Sequence, residues 1–326
     1  MKSVICTLFE GHYHNGVAAL CNSLYNNGYK GTIYVGYRGE LPNWALKGYK
    51  ESIYKWDNAI TLKPAQGLQL VFLPLDTNYS LTNYKPDFML SLWQGPAKDA
   101  DNMFYFDPDI VVYKSWTFFE QWINCGVALC EDLNSPIQEF HPIRVGWRSY
   151  FKNYNLELKF KNAIYVNGGF IGLVKKDISF LTLWIELQEA MGEAIGGLKN
   201  SIFSDQTYKS TIKITEGFQI FSKSDQDALN ATIEVYKSEI SYFGKEKGMG
   251  FGCGTHNPIM FHALGSPKPW KANHLLRSIN GKMPRPVDIY YWKNTNFPII
   301  VHTKLQKATN IVSMTIAKIV GRFYKI

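Results

Sequence analysis

The chain has 326 residues, 46% hydrophobic and 19% charged, which supplies a sizeable core and excludes a disordered or fibrous protein. Five units of its +8 net charge come from Lys304, Lys307, Lys318, Arg322 and Lys325, leaving +3 for residues 1–302. A nucleic-acid-binding body carries basic clusters within the fold itself, so no nucleic-acid partner is expected.

Ser3 to Phe9 reads as a buried strand, followed by a polar turn from Glu10 to Asn15. An amphipathic helix is expected from Asn15 to Asn27, with Gly28 placed to stop it. Thr32 to Tyr37 and Leu70 to Leu75 read as further strands. Tyr84-Lys85-Pro86-Asp87 opens the next helix, since proline is tolerated in a first helical turn. Asn102 to Phe106 is an apolar strand that runs straight into Asp107-Pro108-Asp109, after which Ile110 to Tyr113 resume the apolar pattern. Residues 163–174 read as strand–turn–strand about Asn167-Gly168-Gly169, and Asp177 is expected to cap a helix reaching Ala194. Strand–helix–strand alternation of this kind predicts an α/β fold with a Rossmann-like, mostly parallel central sheet flanked by helices. With no internal repeat and no low-complexity linker, the expected organisation is one domain, 1–302, followed by a C-terminal helix, 303–326.

The five cysteines (Cys6, Cys21, Cys125, Cys130, Cys253) are too few and too scattered for a disulfide framework. Cys6 and Cys125 lie in apolar, strand-like runs, so buried free thiols and a reducing, cytoplasmic setting are expected. The first residues read as a strand rather than a signal peptide, and no stretch approaches the ~20 apolar residues that span a bilayer.

Asp107 and Asp109 carry the sharpest chemical signal. Side chains alternate along extended chain, so two carboxylates one residue apart point the same way and repel each other. A divalent cation relieves such a pair, and hard oxygen ligands favour Mg²⁺ or Mn²⁺. The carboxyl ends of strands are also where open α/β sheets bind ligands. The competing reading is a turn in which the two aspartates cap backbone N–H groups. Farther on, Phe261-His262-Ala263-Leu264-Gly265-Ser266-Pro267-Lys268-Pro269-Trp270 gathers a metal-capable imidazole, a flexible glycine and a compact cation suited to a phosphate.

Asp107-Pro108-Asp109 together with His262, Gly265, Lys268, Pro269 and Trp270 resembles glycosyltransferase family 8, the group of glycogenin and the bacterial lipopolysaccharide galactosyl- and glucosyltransferases. Tyr84-Lys85-Pro86-Asp87, Asn167-Gly168-Gly169 and Asp225-Gln226-Asp227-Ala228-Leu229-Asn230 match weaker motifs in the expected order. The resemblance implies a GT-A fold and a retaining, metal-dependent transfer of a hexose from a UDP-sugar to a glycan or glycolipid such as lipopolysaccharide. It implies that Asp107, Asp109 and His262 hold Mn²⁺ or Mg²⁺, with Asp107 also near the ribose. By the same carry-over, Lys85 binds the donor, Gly265 and Lys268 face the diphosphate, and Cys6, Thr7 and Leu8 line the base. Asn167, Gly168, Asp225 and Gln226 contact the donor sugar. Phe203-Ser204-Asp205-Gln206 offers a competing Asp-Gln pair. The first strand lacks the family's usual acidic or Asn residue near the base.

From Leu305 onward, apolar residues recur at Leu305, Ala308, Val312, Ile316, Ile319, Val320 and Phe323, with the cations mostly elsewhere on the wheel. That is a basic amphipathic helix, suited either to an anionic membrane surface or to docking on its own domain. Two other functions stand beside the transferase. A sugar-nucleotide pyrophosphorylase would need a Gly-rich, basic loop after the first strand, where this chain has Glu10-Gly11-His12-Tyr13-His14. A membrane-surface sugar-nucleotide-binding protein would bind a donor without consuming it.

Overall fold

The computed structural model describes residues 1–202, 219–251 and 257–324. The elements begin β1 (Ser3–Glu10), α1 (His14–Asn26), β2 (Gly31–Arg38), β3 (Tyr49–Ile53), β4 (Trp56–Ala65), β5 (Leu68–Pro74) and α2 (Lys85–Gln94). They continue with β6 (Asn102–Phe106), β7 (Ile110–Val112), α3 (Trp116–Trp122), β8 (Val127–Glu131), α4 (Pro142–Lys152) and β9 (Val166–Val174). The last are α5 (Ser179–Ala194), α6 (Ser224–Val235), β10 (Ile240–Phe243), β11 (Met260–His262), α7 (His274–Ile279), α8 (Pro286–Lys293) and α9 (Lys304–Phe323).

The fold is of the α/β class expected from the alternation, with a large, mostly parallel central sheet of order β10-β8-β9-β6-β1-β2-β5-β4-β3 and helices around it. The chain forms two compact units. The first contains Met1–Leu8, Leu75–Tyr105 and Glu120–Phe243, and the second Phe9–Pro74, Phe106–Phe119 and Gly244–Ile326. In the first, β1 and β6 pair in parallel, as do β8 and β10, while β8 and β9 are antiparallel. Its helix α5 packs on α6 and α2. In the second, β2 and β5 are parallel, β4 adds antiparallel to β5, and β3 to β4.

The strands form where the sequence is continuously apolar. In β1 every residue from Ser3 to Phe9 is buried, the pattern of a strand covered on both faces. Gly28 ends α1 as expected, at φ +96°, a region open to glycine at little cost.

Three local expectations are corrected. Residues 166–174 form one continuous strand, β9, rather than strand–turn–strand. Its glycines are close-approach positions: a Cβ on Gly168 would lie 2.7 Å from Asp225 Oδ2, and one on Gly172 2.7 Å from the Phe104 ring. Asp177 does not cap α5, whose N-cap is Ile178; Asp177 ends a 3₁₀ turn and accepts a bond from Tyr236 Oη at 3.0 Å. Cys125 is exposed, because it lies at the end of a 3₁₀ turn rather than in a strand; Gly126, at φ +120°, follows it before β8 begins. Cys6, Cys21 and Cys130 are buried free thiols, and Cys253 lies outside the described residues.

The C-terminal helix is present, opened by a capping box: Gln306 N donates to Thr303 Oγ1 at 3.1 Å, and Thr303 N to Gln306 Oε1 at 2.9 Å. It docks on α7 and α8 through a narrow seam of Met314, Ala317 and Gly321 rather than through its apolar stripe. Leu305, Val312, Ile316, Ile319 and Phe323 remain 43–80% exposed. No described helix is long and apolar enough to cross a membrane.

Helix α1 touches the loop between β6 and β7 at Gly16, where a Cβ would stand 2.2 Å from the Pro108 carbonyl oxygen and 2.9 Å from the Trp270 ring. Glycine to alanine inside a helix ordinarily stabilises by about 0.5–1 kcal/mol. Here Gly16→Ala is expected to destabilise by about 1–3 kcal/mol through overpacking, read by urea denaturation, and a stabilised variant would contradict this contact.

Candidate active site

The first polar cluster lies in the second unit. Strand β7 pairs antiparallel with β11, and the register sets His262 opposite Ile110. Ala263 N donates to the Asp109 carbonyl at 3.1 Å, extending the ladder past its last pair. Asp107 and Asp109 immediately precede β7, so the ladder brings both carboxylates to the imidazole. His262 Nε2 lies 3.2 Å from Asp109 Oδ1 and 3.8 Å from Asp107 Oδ2.

One donor atom from each of Asp107, Asp109 and His262 falls within 4.8 Å of the others, so the three could hold a metal ion. Their two carboxylates and one imidazole are hard and borderline donors of the kind that divalent cations take. The side chain of Asp107 is the most open of the three, at 20% exposure against 6% and 5% for Asp109 and His262. A site closed on the protein side and open at one ligand suits a metal that also takes an oxygen from a bound molecule. The aspartates meet the imidazole rather than serving only as backbone caps.

Lys268 completes the cluster. Its Nζ donates to Asp109 Oδ2 at 2.5 Å and to the Ala263 carbonyl at 2.7 Å, and lies 5.6 Å from the centre of the Tyr13 ring. Burial alone would raise the pKa of Asp109; His262 and then Lys268, by charge and hydrogen bond, hold it well below the usual carboxylate range. Burial works against the charge of Lys268 too, but Asp109 outweighs it and the lysine pKa rises. Some of the relief that the acidic pair requires thus comes from the protein itself. Aromatic rings stand beside this lysine: Trp270 Nε1 donates to His12 Nδ1 at 3.0 Å, and Tyr13 meets Trp270 edge-on at 5.8 Å. Gly265 is exposed at φ +68°, a conformation that favours glycine. Arg38, at the end of β2, is ion-paired with Glu10 at 2.7 Å.

The second cluster lies in the first unit. Lys85, the first residue of α2, is 1% exposed; its Nζ donates to the Gly168 carbonyl at 2.8 Å and to Asp225 Oδ2 at 2.7 Å. Asp225 stands in the first turn of α6, where the helix dipole favours a carboxylate. Gln226 Oε1 accepts from Gly168 N at 3.2 Å, and Asn167 Oδ1 from Gly169 N at 2.9 Å. Lys85, Asn167, Gly168, Asp225 and Gln226 are therefore brought together around one end of β9. The competing Asp205-Gln206 pair lies outside the described residues.

Three supports of this cluster carry no sequence assignment of their own. Asp132 follows β8, is 3% exposed and accepts from Asn167 Nδ2 at 2.7 Å, fixing that amide. Its signal was the one that marked Asp107, an apolar strand running into acids at Glu131-Asp132. Asn230 holds Val166 by both backbone groups, at 2.8 and 2.9 Å. Asp227 accepts from Tyr165 Oη at 2.6 Å and from Ser222 N and Lys223 N at 2.7 Å each, with burial pushing its pKa up to about 6.

The β1 residues are buried deeper in their strand than expected. The strand continues to Glu10, so Cys6, Thr7 and Leu8 do not form its end. Burial raises the Cys6 thiol pKa well above its ordinary value, and Thr7 Oγ1 has no hydrogen-bond partner among the described residues.

No known family profile and no curated protein matches the chain. Among solved structures it is similar to the WbbM bifunctional glycosyltransferase in its apo form, at 13% identity and a TM-score of 0.50. The match covers 90% of this chain and 52% of that one, so the chain spans about half of the neighbour's length. At that identity the likeness concerns the fold.

The Lys85–Asp225 pair is buried on both sides, at 2% and 3% side-chain exposure. Lys85→Met is expected to cost about 3–5 kcal/mol by leaving a buried carboxylate unpaired. Lys85→Met/Asp225→Asn should recover most of that loss in chemical denaturation; a double variant as unstable as the single one would refute the pairing.

Proposed function

We propose that the chain is a metal-dependent, retaining hexosyltransferase that moves a hexose from a UDP-sugar to a glycan or glycolipid acceptor. The observation that carries this reading is the convergence of Asp107, Asp109 and His262 beside Lys268. The fold shared with a glycosyltransferase supports it. Asp107, Asp109 and His262 would hold Mn²⁺ or Mg²⁺, which, when bound, neutralises charge on the departing nucleoside diphosphate. Lys268 turns from Asp109 to the diphosphate oxygens as they gain charge, and Gly265 lets the backbone approach them. The donor roles implied by the family 8 resemblance for Cys6, Thr7, Leu8, Lys85, Asn167, Gly168, Asp225 and Gln226 are part of this proposal. Asp225, with 3% side-chain exposure and an ion pair to Lys85, suits stabilising positive charge on the reacting sugar better than forming a covalent bond to it. Residues 1–302 form the catalytic body in this reading.

The helix 303–326 is its appendage, acting on the cytoplasmic face of a membrane that presents a lipid-linked acceptor, as in polysaccharide biosynthesis. The exposed apolar residues of α9, flanked by Lys304, Lys307, Lys318 and Arg322 with no acid on the helix, support that placement. Ile316→Asp/Ile319→Asp, on the exposed face, should reduce sedimentation with anionic liposomes and leave donor turnover in solution unchanged. Undiminished sedimentation would exclude α9 as the contact.

The deciding experiment is nucleoside-diphosphate release from a panel of UDP-, GDP- and dTDP-sugars, with Mn²⁺ or with chelator, for the native chain and Asp109→Ala. Release from a UDP-sugar should require metal and fall about 100-fold or more in Asp109→Ala. Metal-independent release would remove the assigned site, and a donor bound but never consumed would favour a binding protein.

A further inference from the structure

The loop between His262 and Lys268 joins two groups fixed in different ways. His262 belongs to β11 and is held by the ladder with β7. Lys268 follows a segment with little packing to hold it, in which Gly265 and Ser266 are exposed and Leu264 is half-buried. One side chain from outside the loop grips it twice. Arg285 Nη1 donates to the Leu264 carbonyl at 2.8 Å, and Arg285 Nη2 to the Pro267 carbonyl at 3.0 Å.

The far side of the same guanidinium is anchored on Asp288, which is 0% exposed. Nη2 lies 2.9 Å from Oδ1 and Nε 3.2 Å from Oδ2, while Arg285 N donates to Oδ2 at 2.9 Å. Asp288 is fixed in turn by α8, whose Val287 packs with Phe261 and Ala263 of the β11 segment, and whose Tyr290 stacks on Phe261 at 4.3 Å. Arg277 of α7 adds a second cation at 3.9 Å from Asp288. A planar guanidinium can bridge a carboxylate and two carbonyls at once; an ammonium cannot cover that span.

We propose that Arg285 is a positioning residue: it ties the 264–267 loop to α8 and thereby sets where Lys268 presents its charge, without touching the metal ligands. The assignment rests on the reading of Lys268 as the diphosphate contact. It separates two functions that share one loop. The ladder sets the metal ligand, and the Arg285–Asp288 bracket sets the phosphate ligand.

The test uses the full chain with Arg285→Lys, which keeps a cation against Asp288 so that the fold is retained, Lys268→Ala, and the two combined. Hydrogen exchange at the Leu264, Gly265, Ser266 and Lys268 amides is expected to accelerate in Arg285→Lys, a change that needs no nucleotide. Affinity for UDP in the presence of Mn²⁺ should fall about tenfold in each single variant, and the combined variant should be no weaker than Lys268→Ala, because both act through one contact. Binding of Mn²⁺ alone, followed by its paramagnetic resonance, should match the native chain in Arg285→Lys. Unchanged loop exchange, additive losses of UDP affinity, or a parallel loss of Mn²⁺ binding would each overturn the assignment of Arg285. Failure of the native chain to bind UDP at any Mn²⁺ concentration would instead overturn the donor-site reading on which it rests.

Discussion

A carboxylate that is 6% exposed and still charged has to be supplied with partners, and Asp109 is such a group. Desolvation pushes its pKa up, and the fold counters with an imidazole at 3.2 Å and an ammonium at 2.5 Å. Neither partner is a neighbour in sequence. His262 arrives because β11 pairs antiparallel with β7, the strand that directly follows the Asp-Pro-Asp segment. Lys268 arrives at the end of a loop held open at Gly265 and bracketed by Arg285. On the other side Gly16 lets α1 lie against the Pro108 carbonyl, which a larger residue would push away. The ladder, the bracket and the glycine contact all act on the same few atoms.

The first unit treats a buried charge differently. Lys85 and Asp225 neutralise each other at 2.7 Å, and Lys85 spends a second donor on the Gly168 carbonyl. Around them Asn167, Gln226 and Asn230 hold the backbone of β9 by side-chain hydrogen bonds, and Asp132 holds the Asn167 amide. A densely hydrogen-bonded buried network restrains its members, at the cost of tolerating few substitutions. Gly168 shows the limit: its missing side chain is what lets Asp225 approach the strand.

Long apolar runs and their end points were legible from the sequence. β1, β6, α1 and α2 lie close to their expected places, because each is marked by an apolar pattern and a Gly, Pro or acidic residue at its boundary. The aspartate pair was legible for the same reason, standing where an apolar strand stops. What the sequence hid depends on contacts distant along the chain. Gly168-Gly169 carries the local signature of a turn, and only the approach of Asp225 explains glycine in mid-strand. The β3–β4 hairpin is half-exposed and turns at Lys55 with φ +71°, so it offers neither a clean alternation nor an Asn-Gly turn. The roles of Asp132 and Arg285 emerge only from their buried partners, Asn167 and Asp288, which lie 35 and 3 residues away.

The C-terminal helix shows why an apolar stripe does not by itself say which side of a helix packs. Its large residues are spaced to form a face, yet the buried seam consists of Met314, Ala317 and Gly321. Small residues allow close approach, and a Cβ on Gly321 would already stand 2.8 Å from Met283. Docking through that seam leaves Leu305, Val312, Ile316, Ile319 and Phe323 exposed among four cations. Each exposed large aliphatic or aromatic side chain forgoes about 1.5–3 kcal/mol of burial. A helix held by its own domain along one seam, and apolar along another, is stabilised further by whatever apolar surface covers it. In the function proposed above, that surface is an anionic membrane, whose headgroups would meet the basic flanks while its acyl chains take the apolar face.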